Sequence, residues 1–352
     1  MENEEQLIMS YLAGVMDGDG SFSLIKKIEC ETRSPLYSPL IQLGSLSSDL
    51  IEFIKATFGG SSSILKEKVG KDGIKRRQFY RWKAEKSSQC TIVLQKLCNF
   101  LVIKKERAQF LKTYIEQNPF IRGSKRLSQD VLNEREFAYR KMRALNEDKK
   151  YFSGFSKEFA KNPTDNQLFW SYLAGLIDTD GSLSIRKNKP TVKNKNYRYT
   201  PMILLSMNDI RGFNFIRENC PFGNYKVYKA KSCVTGMTNR LTIHKREEVV
   251  KVLTKIMPYL RVKKEQAKVL LNFCNNFVPV LHRQNSIPQE QLNFREESYQ
   301  QLINCNKYGV SKPSLIDLEA QEQGNKAEGE NHRKRLNEMD SEKSMRKSGH
   351  DL

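Results

Sequence analysis

The sequence predicts an α+β protein made of two tandem αββαββα-type repeats, and three observations carry this. A nine-residue stretch, Leu12-Ala13-Gly14-Val15-Met16-Asp17-Gly18-Asp19-Gly20, returns 161 positions later as Leu173-Ala174-Gly175-Leu176-Ile177-Asp178-Thr179-Asp180-Gly181. Other segments recur at nearly the same offset: Pro39-Leu40-Ile41-Gln42-Leu43 with Pro201-Met202-Ile203-Leu204-Leu205, Lys104-Lys105-Glu106-x-Ala108 with Lys263-Lys264-Glu265-x-Ala267, and Leu132-Asn133-x-Arg135-Glu136 with Leu292-Asn293-x-Arg295-Glu296. Within each copy the apolar spacing reads helix, two strands, helix, two strands, helix, helix.

Leu7, Ile8, Tyr11, Leu12, Val15 and Met16 recur at helical spacing, as do Leu168, Phe169, Tyr172, Leu173, Leu176 and Ile177. Beyond each nine-residue stretch, Ser and apolar residues alternate over Ser21 to Leu24 and Ser182 to Ile185, which is a strand with one face buried. Gly59-Gly60 and Phe222-Gly223 read as turns after a helix. Arg77 to Lys83 and Tyr225 to Lys231 interleave apolar or aromatic residues with basic ones, the pattern of a sheet with one face on helices and the other toward phosphates. Ser128 can cap a further helix to about Leu145, with a counterpart over Gln289 to Ile303. The first repeat is thus assigned to 1–145, a linker to 146–165, the second repeat to 166–308, and a tail to 309–352. That tail has no Phe, Trp or Tyr, and disorder is expected for it.

The chain is long enough for each repeat to bury its own core. Sixty Lys and Arg against 40 Asp and Glu give a formal net charge of +20, so a polyanion is the first partner to consider. No apolar run approaches bilayer length and the acidic start is unlike a signal peptide, so a soluble intracellular protein with no membrane partner is expected. The seven cysteines form no C-x-x-C pair, which argues for packing thiols in a reducing compartment. Four scattered histidines lack metal-ligand spacing. Asp17-Gly18-Asp19-Gly20 is not the start of an EF-hand loop, because Phe22 and Ile28 stand where that loop needs Gly and Glu.

The second nine-residue stretch differs only at Thr179 from the peptide that names the LAGLIDADG homing endonucleases; the first differs at Val15, Met16 and Gly18. The chain resembles the two-repeat, single-chain form of that family. The resemblance implies a pseudo-two-fold axis, motif helices paired at the interface between repeats, and saddle-shaped antiparallel sheets lying along double-stranded DNA. The residues agree. Ala13-Gly14 and Ala174-Gly175 place Gly mid-helix, which costs roughly 1 kcal/mol relative to Ala and is offset if two helix backbones approach closely there. Such packing brings Asp19 and Asp180 together at the negative ends of two helix dipoles, where they call for a cation. Mg²⁺ (or Mn²⁺) takes oxygen ligands and bridges to phosphate, as metal-assisted phosphodiester hydrolysis requires.

By resemblance, Asp19 and Asp180 are metal ligands, with Gly18 and Thr179 beside them in the metal site. Lys104 and Lys263 lie near the scissile phosphates, while Lys105 and Lys264 read as solvated. A third polar position, shortly after the second strand, is assigned to Asn208. Asp17 and Asp178 read as hydrogen-bond acceptors at the turn ahead of any ligand role. On the strands, Phe22, Leu24, Leu183 and Ile185 take the core. DNA contacts then fall to Ser23, Ile25, Lys27, Glu29, Ser184, Arg186 and Asn188, with Gln42 on the second strand; Arg favours guanine and Asn adenine. The expected function is a monomeric, site-specific, intron-encoded DNA endonuclease that promotes intron mobility. It would work in an organelle, the chloroplast ahead of the mitochondrion, or in a bacterial cytoplasm, without an obligate protein partner. Its rivals are an intron RNA maturase, with the protein's own intron RNA as partner, and a non-catalytic DNA-binding relative. Retention of both acids argues against pure binding.

Overall fold

A computed structural model describes residues 2–28, 34–69, 75–76, 78–118, 127–147, 166–190, 196–229, 237–278 and 287–307. The first repeat comprises α1 (Glu2–Gly18), β1 (Ser21–Lys27), β2 (Leu36–Ser45), α2 (Ser48–Phe58), β3 (Ser61–Leu65), the short β4 (Lys68–Val69) and β5 (Lys75–Arg76), β6 (Phe79–Ala84), α3 (Ser87–Leu97), α4 (Lys105–Gln117) and α5 (Gln129–Glu147). The second comprises α6 (Gln167–Asp180), β7 (Gly181–Asn188), β8 (Arg198–Met207), α7 (Ile210–Asn219), β9 (Asn224–Lys229), β10 (Met237–Ile243), α8 (Arg246–Ile256), α9 (Lys264–Asn275) and α10 (Gln289–Lys307). Two open four-stranded antiparallel sheets result, ordered β1-β2-β6-β3 and β7-β8-β10-β9, and β4 pairs with β5 in a separate ribbon. Element order matches the sequence expectation in both halves, the ribbon apart. The linker was expected from Asn146, but α5 runs to Glu147; the rest of the linker, Glu29, Cys30, Cys233 and the tail 309–352 lie outside the described residues.

Each sheet turns one face to the helices because its strands alternate. Phe22, Leu24, Ile41, Leu43, Trp82 and Ala84 are buried from the first sheet; Leu183, Ile185, Ile203, Leu205, Leu241 and Ile243 are buried from the second. Cys90, Cys98, Cys220 and Cys274 fill the same core as small apolar residues.

The motif helices α1 and α6 lie against each other at the centre. A Cβ built on Gly14 would sit 2.1 Å from the Tyr172 carbonyl oxygen, and one on Gly175 would sit 2.1 Å from that of Tyr11. Only glycine lets the backbones come this close. Around that contact the helices exchange reciprocal hydrogen bonds: Ser10 Oγ donates to the Leu168 carbonyl (2.6 Å) and Ser171 Oγ to that of Leu7 (2.7 Å). A second pair crosses from Tyr11 Oη to Asp178 (2.8 Å) and from Tyr172 Oη to Asp17 (2.8 Å).

The third repeated segment is a clamp. Ser128 Oγ accepts from the Val131 N–H (3.4 Å) as α5 begins, and Glu136 on that helix takes Lys26 Nζ (2.7 Å) and Tyr37 Oη (2.6 Å) from the sheet. In the second repeat Glu296 takes Lys187 Nζ (2.6 Å) and Tyr199 Oη in the same way. Edge-to-face ring pairs, Tyr37 with Tyr139 and Tyr199 with Tyr299, both at 6.1 Å, complete each clamp.

Two outcomes follow. Ala at an ordinary mid-helix glycine stabilises by about 1 kcal/mol, but Gly14→Ala and Gly175→Ala are expected to destabilise by about 1–3 kcal/mol through forced separation of the helices. Urea denaturation reads the sign, and a stabilised variant would refute the close-approach argument. Hydrogen bonds from the Lys ammonium first, and then from the Tyr hydroxyl, hold Glu136 and Glu296 at about 2, below an ordinary value of 4.5. A depressed carboxylate stabilises above its unfolded value and loses that contribution as pH falls through the folded one. Near-UV circular dichroism from the clamped tyrosines should therefore fade between pH 4.5 and 2. An acid titration that is unchanged in the Glu136→Gln, Glu296→Gln double variant would count against the clamp.

Candidate active site and nucleic-acid interface

The site is built where α1 and α6 end. Asp17, one turn before the end of the first repeat's motif, turns its carboxylate to the start of α4: Val102 N–H (2.8 Å) and Ile103 N–H (2.9 Å) donate to Oδ2 and Lys104 N–H (2.8 Å) to Oδ1. Asp178 does the same for α9, accepting from Arg261 (2.8 Å), Val262 (3.1 Å) and Lys263 (2.8 Å) N–H. Each aspartate thus satisfies N–H groups at a helix start that no helical partner reaches. The hydrogen-bonding role expected for Asp17 and Asp178 is what the structure shows.

The lysines return the contact. Lys104 Nζ donates to the carbonyls of Met16 (2.9 Å), Gly18 (2.8 Å) and Gly20 (2.6 Å), and Lys263 Nζ to those of Ile177 (2.7 Å), Asp178 (2.9 Å) and Thr179 (3.2 Å). An ammonium here meets both the orphan carbonyls and the negative end of the helix dipole. Burial pulls the Lys104 ammonium down to about 8 and lowers that of Lys263 as well, with neighbouring carboxylates opposing the shift.

Asp19 and Asp180 come together at this end. Both side chains open to solvent, yet the surrounding protein desolvates them enough to raise both carboxyls above the ordinary carboxylate value. For Asp19 the negative charge of Asp180 adds to the rise, and both lysines act on both acids in the opposite direction. A Cβ on Gly18 would lie 2.1 Å from Thr179 Oγ1 and 3.4 Å from Asp180 Oδ2, so the two helix ends touch. Two raised, mutually repelling carboxylates with no third acid, Cys or His beside them among the described residues fit a hard divalent cation that keeps waters and shares phosphate oxygens. The Gly18 and Thr179 carbonyls are at this junction, and each already accepts a lysine ammonium.

Asn208 is exposed between β8 and α7, with its carbonyl accepting from Asn239 Nδ2 (3.4 Å) and its Oδ1 from Thr238 Oγ1 (3.3 Å). Its neighbour Asp209 caps α7, as Ser47 caps α2 in the first repeat.

Strand register sorts the remaining residues. Ser23, Ile25 and Lys27 lie on the face away from the core, and Gln42 sits mid-sheet on that face, opposite Ser21 on one side and Lys83 on the other. Ser23 Oγ is bonded to the Leu40 carbonyl (3.3 Å), and the Ser184 hydroxyl is buried without a hydrogen-bond partner among the described residues. Arg186 and Asn188 are exposed and line a groove with Arg198, Thr200, Arg240 and His244. Arg240 is held in place, its guanidinium 4.8 Å over the Tyr228 ring and its Nε on Ser206 Oγ (3.3 Å). The sequence reading assigned the first strand of each sheet and missed Arg198, Arg240 and His244. Counting every second residue along β8 and β10 would have found them.

No family model matches the sequence, and no curated protein matches it. Solved structures do match. Meganuclease I-SmaMI bound to uncleaveable DNA with a TTCT central four aligns at a TM-score of 0.59 and 17% identity, over 85% of this chain and 99% of that one; the same meganuclease is also known bound to an uncleaved DNA target with calcium ions. The LAGLIDADG homing endonuclease I-GzeII in complex with its DNA target aligns at 0.57 and 14% identity, over 86% and 98% of the two chains. The LAGLIDADG meganuclease I-CpaMI bound to uncleaved DNA aligns at 0.52 and 12%, over 84% and 97%. The chain has the two-repeat LAGLIDADG fold that these homing endonucleases share.

Proposed function

We propose that this protein is a homing endonuclease that cuts both strands of a long, asymmetric DNA site by hydrolysis assisted by Mg²⁺ or Mn²⁺. The observation that carries the reading is the meeting of Asp19 and Asp180 at the joined helix ends, each flanked by a buried ammonium. Hydrolysis forms a bond from a water oxygen to phosphorus and breaks the backbone P–O bond. The cation, when bound, supplies Lewis acidity to the water and the phosphate. The two carboxylates hold it, and Lys104 and Lys263 supply fixed positive charge: all three N–H donors of each ammonium are engaged by carbonyls, so neither swings freely toward a phosphate. The sheet faces bearing Lys27, Gln42, Lys83, Arg186, Arg198 and Arg240 flank this centre and suit a phosphate backbone with base edges between. DNA bound by the structurally similar meganucleases, in one case with calcium present, supports the same partner here. Encoding within a mobile intron belongs to this proposal.

Asp19→Asn and Asp180→Asn keep shape and remove charge. Each is expected to lower double-strand cleavage by at least about a hundredfold, more than loss of an outer-shell partner costs, with DNA binding retained. EDTA should do the same to the unmodified protein. Strand cleavage by Asp180→Asn at the wild-type rate would sink the assignment.

Affinity for DNA should fall steeply with salt, at a log-log slope of about −0.9 per phosphate neutralised. The two reading faces differ, Ile25 and Lys27 against Arg186 and Asn188, so selection from a randomised library should return unlike half-sites. Arg186→Ile should then shift preference in one half-site alone. A symmetric optimum, or a complex indifferent to salt, would contradict the proposed mode of binding.

A further inference from the structure

The two crossed hydrogen bonds between the repeats do more than join helices. Tyr172 Oη donates to Asp17 Oδ2, the same oxygen that receives the Val102 and Ile103 N–H groups, while Oδ1 receives that of Lys104. Lys104 in turn grips the carbonyls of Met16, Gly18 and Gly20, on both sides of Asp19. A tyrosine of the second repeat is therefore linked through one carboxylate to the lysine and metal-site backbone of the first. Tyr11, Asp178 and Lys263 repeat the chain of contacts in the other direction.

Neither hydroxyl has freedom to turn elsewhere. Tyr11 and Tyr172 are buried, and their backbone carbonyls are the atoms at the closest approach of α1 and α6. Burial first, and the facing aspartate next, raise both phenols well above their ordinary value, so each remains a donor. The arrangement is nonetheless unequal. Arg261 lies 5.7 Å over the Tyr11 ring and 3.5 Å over that of Phe53, giving the loop before Lys263 a second hold on the first repeat. The matching position in the other loop is Val102, which has no charge to offer.

We infer that Tyr172 and Tyr11 are crossed positioning residues: each sets, from the opposite repeat and through Asp17 or Asp178, the lysine-bearing loop that serves one of the two strand cuts. The inference rests on the nuclease reading above. It makes the two cuts depend on the interface in opposite senses, so that disturbing one tyrosine leaves a nicked product.

The test uses the full chain, Mg²⁺ and a supercoiled plasmid carrying the selected target, with each strand end-labelled separately and rates taken at single turnover. Phe in place of Tyr keeps the ring and removes only the donor. Loss of a hydrogen bond to a charged group should slow the dependent strand by about tenfold. Tyr172→Phe and Tyr11→Phe should favour opposite strands relative to wild type, nicked circles should accumulate, and Tyr11→Phe should be the milder because Arg261 remains. If both variants slow both strands equally, or both favour the same strand, the tyrosines merely hold the fold together and the inference fails. Unchanged rates would also overturn it. A wild type that cuts neither strand would instead overturn the nuclease reading, and the inference with it.

Discussion

The approach of two helix backbones at Gly14 and Gly175 is the constraint from which the rest of the molecule follows. With the Tyr172 and Tyr11 carbonyls occupying the space a side chain would need, the axes of α1 and α6 are fixed in separation, and so are the ends of both helices. Separation of even a methyl group's width would carry Asp19 away from Asp180 and break the crossed tyrosine bonds together. The cost of glycine in a helix interior, roughly 1 kcal/mol at each position, is offset by dense apolar packing along the whole contact, where Leu12, Ala13, Ala174 and Leu176 are fully enclosed.

The nine-residue motif divides its acids between two tasks. Asp17 and Asp178 face inward and take three backbone N–H groups and one phenol each, which is fold chemistry. Asp19 and Asp180, two residues on at the helix ends, retain solvent access. A lysine from the loop that the first acid holds then comes back to cap the helix that carries the second. This reciprocal clasp explains why Asp and Lys are needed at both ends: each buried charge has an opposite one close by, and the helix termini, which otherwise leave carbonyls and N–H groups unsatisfied, serve as the remaining partners.

Much of this was legible in the residues. The repeat offset gave both halves the same element order, apolar spacing marked α1, α6, β1 and β7, and the mid-helix glycines pointed to a close contact. The acceptor role of Asp17 followed from its place before a turn. What escaped was everything that depends on a partner far along the chain. Tyr11 and Tyr172 read as core-facing helix residues, and nothing local shows that their hydroxyls reach aspartates of the other repeat. Glu136 and Glu296 stood inside a repeated segment whose recurrence was plain, but its purpose as a clamp on Lys26 and Lys187 needs the third dimension. The groove residues Arg198, Arg240 and His244 were missed because, although alternation along each strand marks their face, only the pairing of β8 with β7 and β10 sets that face beside Arg186 and Asn188. Asn208 was placed from resemblance alone, and its hydrogen bonds run to Thr238 and Asn239.

Covalent linkage of the repeats permits an asymmetry that identical subunits could not have. The interface is a set of reciprocal pairs, Ser10 with Ser171, Tyr11 with Tyr172, Gly14 with Gly175 and Asp17 with Asp178, and a change in either copy is felt by both because each residue's partner lies in or beside the other motif. The outer sheet faces carry no such reciprocity. Ile25 can stand where the second repeat has Arg186, and Lys83 where it has Thr242, since these side chains lie on the sheet faces turned away from the helices. The physical coupling is therefore strong where symmetry is kept and weak where it is lost, and the boundary between the two regimes runs through the first residues after each motif. Ser23 and Ser184 already show it: one hydroxyl is tied to the Leu40 carbonyl while its counterpart is buried and has no hydrogen-bond partner among the described residues.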